Sequence, residues 1–315
     1  MSSSADLARA ITIYCGIPIL VCGTVGNFLN LILLWQSRRN SCAFLFLCSS
    51  IFNCFALFFG LFTRILNVGF GLDWSQTNLI WCKIRIAFSE ASFLLSLTCI
   101  CLASVDRCLA SCRSATLRKF SRLSTARISI LVSIIFWVCH ATPNLIFANL
   151  LPSPTASSTF VCAITPNQIL SNYQIYFSLL VYLGVLPTSI LIITGVLTYR
   201  NTSKLRLDYQ RELIQKQLTN MMLIQIPVIL ISTVPYIAFS EYRALTSKQT
   251  KSASRRDIEN LATNIVTLLF YVAFTCQFFV FFFSSPKFRR QLNPSVLCQR
   301  RHRVSHDSTN AKQPA

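Results

Sequence analysis

Charge is what this sequence has least of. Asp and Glu together number 10 in 315 residues, and all charged side chains make up 12% of the chain against 53% hydrophobic. Soluble domains carry about twice that charge, so the composition argues against a soluble globular protein. There are no paired carboxylates, no nucleophile with a base and no metal-ligand spacing, which argues against an enzyme and against a cofactor. His140 stands in an apolar run with no partner at ligand spacing. No internal repeat divides the chain, and the aromatic run 278–283 reads as lipid-facing packing.

What is present is basic and apolar. Lys and Arg number 29, for a net charge of +19, a balance that suits either a nucleic-acid surface or a cytoplasmic membrane face. Position decides for the second. Residues 11–35, 40–63, 128–199, 217–240 and 260–286 hold no Asp, Glu, Lys or Arg, and 86–105 carries Glu90 alone. A bilayer core of about 30 Å needs ~20 apolar helical residues. The 128–199 stretch must be two helices, because the Pro/Ser/Thr-rich segment 151–159 could not satisfy its backbone in lipid. Helices are therefore expected at about 11–35, 42–65, 84–108, 128–149, 173–199, 217–240 and 260–284, longer than barrel strands need. The fold class is all-α, a seven-transmembrane helix bundle.

Lys and Arg are retained on the cytoplasmic side. With the C-terminus inside, twenty of the 29 basic residues fall there, in 38–39, 107–127, 200–216 and 287–312, so the N-terminus is outside. Residues 1–10 are then a short extracellular tail, 11–284 the helical domain with its first helix as a retained signal anchor, and 285–315 a cytoplasmic segment. Asn201-Thr-Ser203, a glycosylation sequon, falls inside and unused. Most of the 14 Cys, such as Cys48, Cys54, Cys99, Cys101 and Cys276, sit in apolar runs and read as small buried hydrophobes, not as a disulfide framework.

Several features recur at set places on the seven segments. The first has Gly26-Asn27. The third opens at Cys82 and closes on Asp106-Arg107-Cys108, with 25 residues from Cys82 to Arg107. The fifth holds Pro187 and the sixth Val234-Pro235-Tyr236, and Phe288-Arg289-Arg290 follows the seventh. Over about residues 11–298 the chain resembles a rhodopsin-like (class A) G-protein-coupled receptor, as a divergent member. The resemblance implies a plasma-membrane receptor that binds an extracellular ligand and activates a heterotrimeric G protein on its cytoplasmic face as helix 6 swings outward. It implies a Cys82–Cys162 disulfide pinning the loop between helices 4 and 5, and a resting Asp106–Arg107 ion pair whose Arg is freed to meet the G protein. Asn27, Asn53, Pro187, Pro235 and Gln277 take the helix-packing positions. A short amphipathic eighth helix and a palmitoylated Cys298 complete the inner end. The lipid bilayer is a partner and nucleic acid is not.

The departures carry information too. Asn53 stands where the family has an acid, and Gln277-Phe-Phe-Val-Phe281 stands where it has Asn-Pro-x-x-Tyr, although Ser96 matches. Oxygen ligands without an anion hold a cation poorly, so no allosteric sodium site is expected. Thr233 replaces the helix 6 Trp, Ile229 replaces Phe, and an extra Pro227 should bend that helix a second time. Cys108 replaces an aromatic residue. Tyr271 occupies the place of the retinal-binding Lys, and Ser89 that of the amine-binding Asp, which disfavours light and monoamines and leaves peptides, lipids and small odorant-like molecules.

Intramembrane polar groups usually face a cavity. Arg64, Arg85, Ser89, Glu90, Tyr236 and Tyr271 are the ligand-pocket candidates, with Tyr173 and Tyr176 as further aromatic walls. Glu90 has two readings, an anchor for a cationic ligand group or a structural pair with Arg64 or Arg85. Between helices 6 and 7, Arg243, Lys248, Lys251, Arg255 and Arg256 either attract an acidic peptide or carboxylate ligand or form a solvated loop. Two other functions remain beside the receptor reading. A seven-helix transporter or channel would show inverted repeats or several mid-membrane charges, and none is evident. A receptor-like protein that no longer signals stays open because of the missing helix 6 and helix 7 switches.

Overall fold

The computed structural model of the chain describes residues 2–152, 160–202, 209–247 and 249–291. Its long helices are α1 (Ser2–Trp35), α2 (Ser41–Gly69), α3 (Leu79–Ser111), α4 (Leu123–Phe147), α5 (Gln168–Thr202), α6 (Tyr209–Leu245) and α7 (Ala253–Thr275, continued by Gln277–Ser284). All seven are long and apolar enough to cross a membrane, which makes the chain a multi-pass integral membrane protein. A hairpin of β1 (Ala148–Pro152) and β2 (Phe160–Ile164), paired antiparallel, joins α4 to α5. A six-residue helix, α8 (Pro286–Gln291), follows α7.

The helices outrun the charge-free stretches, because charge ends an apolar run without ending a helix. Asn78 accepts from the Trp81 N–H and starts α3 ahead of the expected 84, and Ser252 accepts from the Arg255 N–H and starts α7 ahead of 260. Arg255, Arg256, Asp257 and Glu259 are therefore helical residues and not part of a loop. Likewise α1 is helical from Ser2, where a tail to residue 10 was expected.

α3 is the central element and packs against α2, α4 and α5, while α1 and α7 close the other side. α4 leaves Ile128, Leu131, Ile135 and Val138 exposed, a surface for lipid acyl chains. The 278–283 run behaves otherwise than expected. Phe281 is fully buried, its ring centroid 4.8 Å from that of Phe46, and of the run's phenylalanines only Phe283 is exposed.

Two helices widen locally into π turns, α2 at Leu57–Phe62 and Ile65–Gly69, and α5 at Gln174–Val185. In α5 the widening ends at Leu186, whose N–H reaches back to the Val181 carbonyl. Pro187 comes next and has no N–H to continue that pattern. Both widened stretches face the same space.

Candidate functional site

Three layers of polar groups lie along α3. The first is a cavity of about 410 Å³ at the Cys82 end, lined by Arg64, Arg85, Ser89, Glu90, Tyr236 and Tyr271, together with residues of the widened turns such as Phe59, Gly60, Asn67, Gln174 and Ser178. All six candidate residues thus share one space. Tyr173 and Tyr176 do not line it; Tyr173 packs on Phe177 and His140.

Glu90 does not pair with either arginine. Its carboxylate accepts from Ser178 Oγ and Asn144 Nδ2, Asn144 Oδ1 in turn accepts from Gln174 Nε2 at 2.7 Å, and His140 Nδ1 lies 3.7 Å away. The register of α3 turns Glu90 toward α4 and α5. Arg64 instead donates from Nη2 to Asn264 Oδ1 at 2.9 Å, and Asn264 Nδ2 donates to the Ala8 carbonyl and Thr12 Oγ1, each at 2.7 Å. The Nε atoms of Arg64 and Arg85 are buried with no acceptor among the described residues.

Aromatic rings form the cavity floor. Tyr236 stacks on Phe270 with centroids 4.5 Å apart, and Phe93 meets Phe270 at 5.2 Å and Phe274 at 5.3 Å. Gly60 is needed there, since a Cβ would stand 2.5 Å from Tyr271 Oη and 2.9 Å from Phe93 Cζ. Thr233, in place of a ring, turns its hydroxyl back onto the Ile229 carbonyl at 2.9 Å. Above the cavity, Cys82 of α3 is disulfide-bonded to Cys162 of β2.

The second layer is neutral and hydrogen-bonded throughout. Asn53 Nδ2 donates to Asn27 Oδ1 at 3.0 Å and to Gln277 Oε1 at 2.8 Å, while Asn53 Oδ1 accepts from Ser96 Oγ. Asn27 Nδ2 donates to the Gly23 and Phe274 carbonyls, Gln277 Nε2 donates to the Phe46 carbonyl, and Ser49 Oγ lies within reach of both Ser96 and Gln277. Asn27, Ser49, Asn53, Ser96 and Gln277 are all fully buried. Each amide nitrogen and oxygen of Asn27, Asn53 and Gln277 has at least one partner, which is what a low-dielectric interior requires. α7 is interrupted at Cys276, beside Gln277, with no proline there. Ser49 escaped the sequence reading; its signal was its place one helical turn from Asn53 in an otherwise apolar segment.

The third layer is at the opposite end of α3. Arg107 Nη2 lies 2.5 Å from Asp106 Oδ2, and the two residues are 2% and 7% exposed. Asp106 Oδ1 also accepts from Ser41 of α2 and from Ser121, in the segment between α3 and α4, both at 2.7 Å. A buried ion pair depends on such extra hydrogen bonds. Pro187 and Pro235 lie within α5 and α6, and Cys298 lies outside the described residues.

A family model described as 7 transmembrane receptor (rhodopsin family) matches residues 26–277, from the last third of α1 to the start of the α7 continuation. No curated protein matches the chain.

Proposed function

Because the chain belongs to the rhodopsin family of seven-transmembrane receptors, we propose that it binds an extracellular ligand in the α3 cavity and activates a heterotrimeric G protein at the Arg107 end. The observation that carries this reading is the placement of the cavity and the ion pair on one helix. Arg107 lies seventeen positions beyond Glu90, about 25 Å of helix. Twenty of the 29 basic residues fall in the segments 38–39, 107–127, 200–216 and 287–312, and the retention of Lys and Arg in the cytoplasm supports placing the Arg107 end there. α8, with Phe288 buried against Phe281, begins the amphipathic eighth helix, and Cys298 beyond it is the palmitoylation site at the plasma membrane.

In the resting state Asp106 holds Arg107, the start of α2 and the α3–α4 segment together. A ligand pressing on Tyr236 pushes α6 directly and loosens the Tyr236–Phe270 stack that ties α6 to α7, and Pro227 and Pro235 supply the flexible points. Outward movement of α6 then opens the space around Arg107 to a G-protein segment. The charge-free middle layer favours a receptor over an ion-coupled transporter, whose pathway would need mid-membrane charge.

The test uses G-protein activation sensors in cells with surface expression verified. Asp106→Asn weakens the resting pair and is expected to raise basal signal about fivefold, the effect of ~1 kcal/mol on a two-state balance. Arg107→Ala is expected to abolish the signal. A surface-expressed Asp106→Asn chain that activates no G-protein class above empty-vector background would refute the coupling role.

A further inference from the structure

Resting on the receptor reading, we infer that the α3 cavity takes a small organic carboxylate with an apolar body, its head held between Arg64 and Arg85. Two cationic side chains line the cavity and one acid, Glu90. That acid is already engaged: Ser178 and Asn144 donate to it and His140 stands behind it. A ligand cation would have to share the carboxylate with these donors.

The arginines are in the opposite condition. Arg64 bonds to a neutral amide oxygen, and among the described residues Arg85 has no hydrogen bond or ion pair, while both Nε–H groups are buried without an acceptor. Both residues are half-buried, and an anion placed between them supplies the opposite charge that neither guanidinium has among the described residues. A carboxylate also offers two coplanar oxygens, which match the guanidinium fork. Asn264, itself tied to Ala8 and Thr12, holds Arg64 from behind, so the head-group site is formed in advance.

The rest of the cavity suits an apolar body. Phe93, Leu94, Leu183 and Val68 line it, and about 410 Å³ lies near the small end of ligand sites. Arg243, Lys251 and Arg256, against the single acid Glu259, line a second depression at the same end of the bundle, so an approaching anion meets a net positive field.

The experiment melts the purified chain in lipid–detergent micelles, read by a thiol-reactive dye that reports buried cysteines such as Cys42 and Cys99. The probes share one body: 4-phenylbutyrate, 4-phenylbutanol and 4-phenylbutylamine. N-acetyl-leucyl-phenylalanine presents the same carboxylate as a peptide terminus. At saturation 4-phenylbutyrate is expected to raise the midpoint by about 3 °C, with the alcohol and amine well below it. Arg85→Gln removes a half-buried guanidinium that has no partner among the described residues, so its ligand-free midpoint stays the same or rises while its apparent affinity for the acid falls about tenfold or more. Arg64→Gln falls likewise, and Arg64→Lys, which keeps the charge but loses the fork, stands in where it does not fold. Arg38→Gln, at the other end of the bundle, keeps the full response.

Stabilisation by the amine in place of the acid, equal shifts from all three phenyl probes, an acid response unaltered by both arginine variants, or no shift from any acid would each overturn the inference. A response to the dipeptide acid alone keeps the head-group assignment and makes the source a peptide terminus. Binding here needs no G protein. Acid binding with a silent Asp106→Asn therefore refutes the receptor reading alone, and a signalling Asp106→Asn that binds no acid refutes this inference alone.

Discussion

Replacing Asn53 with Ala tests whether the neutral middle layer holds the bundle together. Asn53 makes hydrogen bonds to three side chains on three other helices, Asn27, Ser96 and Gln277. Side-chain hydrogen bonds inside membrane bundles average about 0.6 kcal/mol each, so losing three costs about 2 kcal/mol. Removing the amide from a fully buried position also leaves a small cavity, worth about 1 kcal/mol more. The sum is about 3 kcal/mol, which lowers the melting midpoint by about 6–12 °C. Asn53→Leu fills the volume but not the bonds and should lose about 2 kcal/mol. Combined with Gln277→Ala, the loss should fall short of additive, because the two residues share a bond. The assay is thermal unfolding of the purified chain in detergent. A midpoint for Asn53→Ala within about 1 °C of the parent would show that the network carries no net stability, and the reasoning would fail.

Three further outcomes follow from the same geometry. Gly60→Ala forces a Cβ against Tyr271 Oη and Phe93 Cζ; overpacking of this kind costs about 1–3 kcal/mol and should shrink the cavity, visible as a lower midpoint and a weaker carboxylate response together. Breaking the Cys82–Cys162 bond, which closes 80 residues, should lower stability by about 2–4 kcal/mol; mass spectrometry of the unreduced chain should find the two peptides linked, and separate alkylation of each would refute the bond. Exchanging sodium for potassium at constant ionic strength should leave the melting midpoint and any ligand affinity unchanged, since Asn53 offers no anion; a sodium-specific shift that Asn53→Ala abolishes would count against this.

The seven spans could be read from the sequence because lipid imposes a requirement on every residue of a spanning segment, and charge-free runs register it directly. Helix ends could not, since they are set by single caps such as Asn78 and Ser252 outside the apolar runs. The six cavity residues could be gathered from depth, although the same criterion also drew in Tyr173 and Tyr176, which do not line the cavity. The partner of Glu90 could not, because depth and chain proximity favour Arg64 and Arg85, whereas rotation of α3 about its axis decides the contact. A signal for the actual outcome was present: His140 and Asn144 are one turn apart on α4, and both face Glu90. The 278–283 run misled for a related reason. Composition alone does not tell a lipid-facing ring from one packed on Phe46 or Phe288.

The stretch of bundle between Glu90 and Asp106 has one more consequence. Membrane voltage does work only on charge that moves through its field, about 2.3 kcal/mol per elementary charge per 100 mV. At that depth no segment contributes Asp, Glu, Lys or Arg, and the groups that link the helices are amides and hydroxyls. Rearranging them carries no gating charge. A depolarising cell would therefore act on the balance between the resting and active arrangements only through the charges at the two ends, the cavity arginines with Glu90 and the Asp106–Arg107 pair, and not through the layer that joins them.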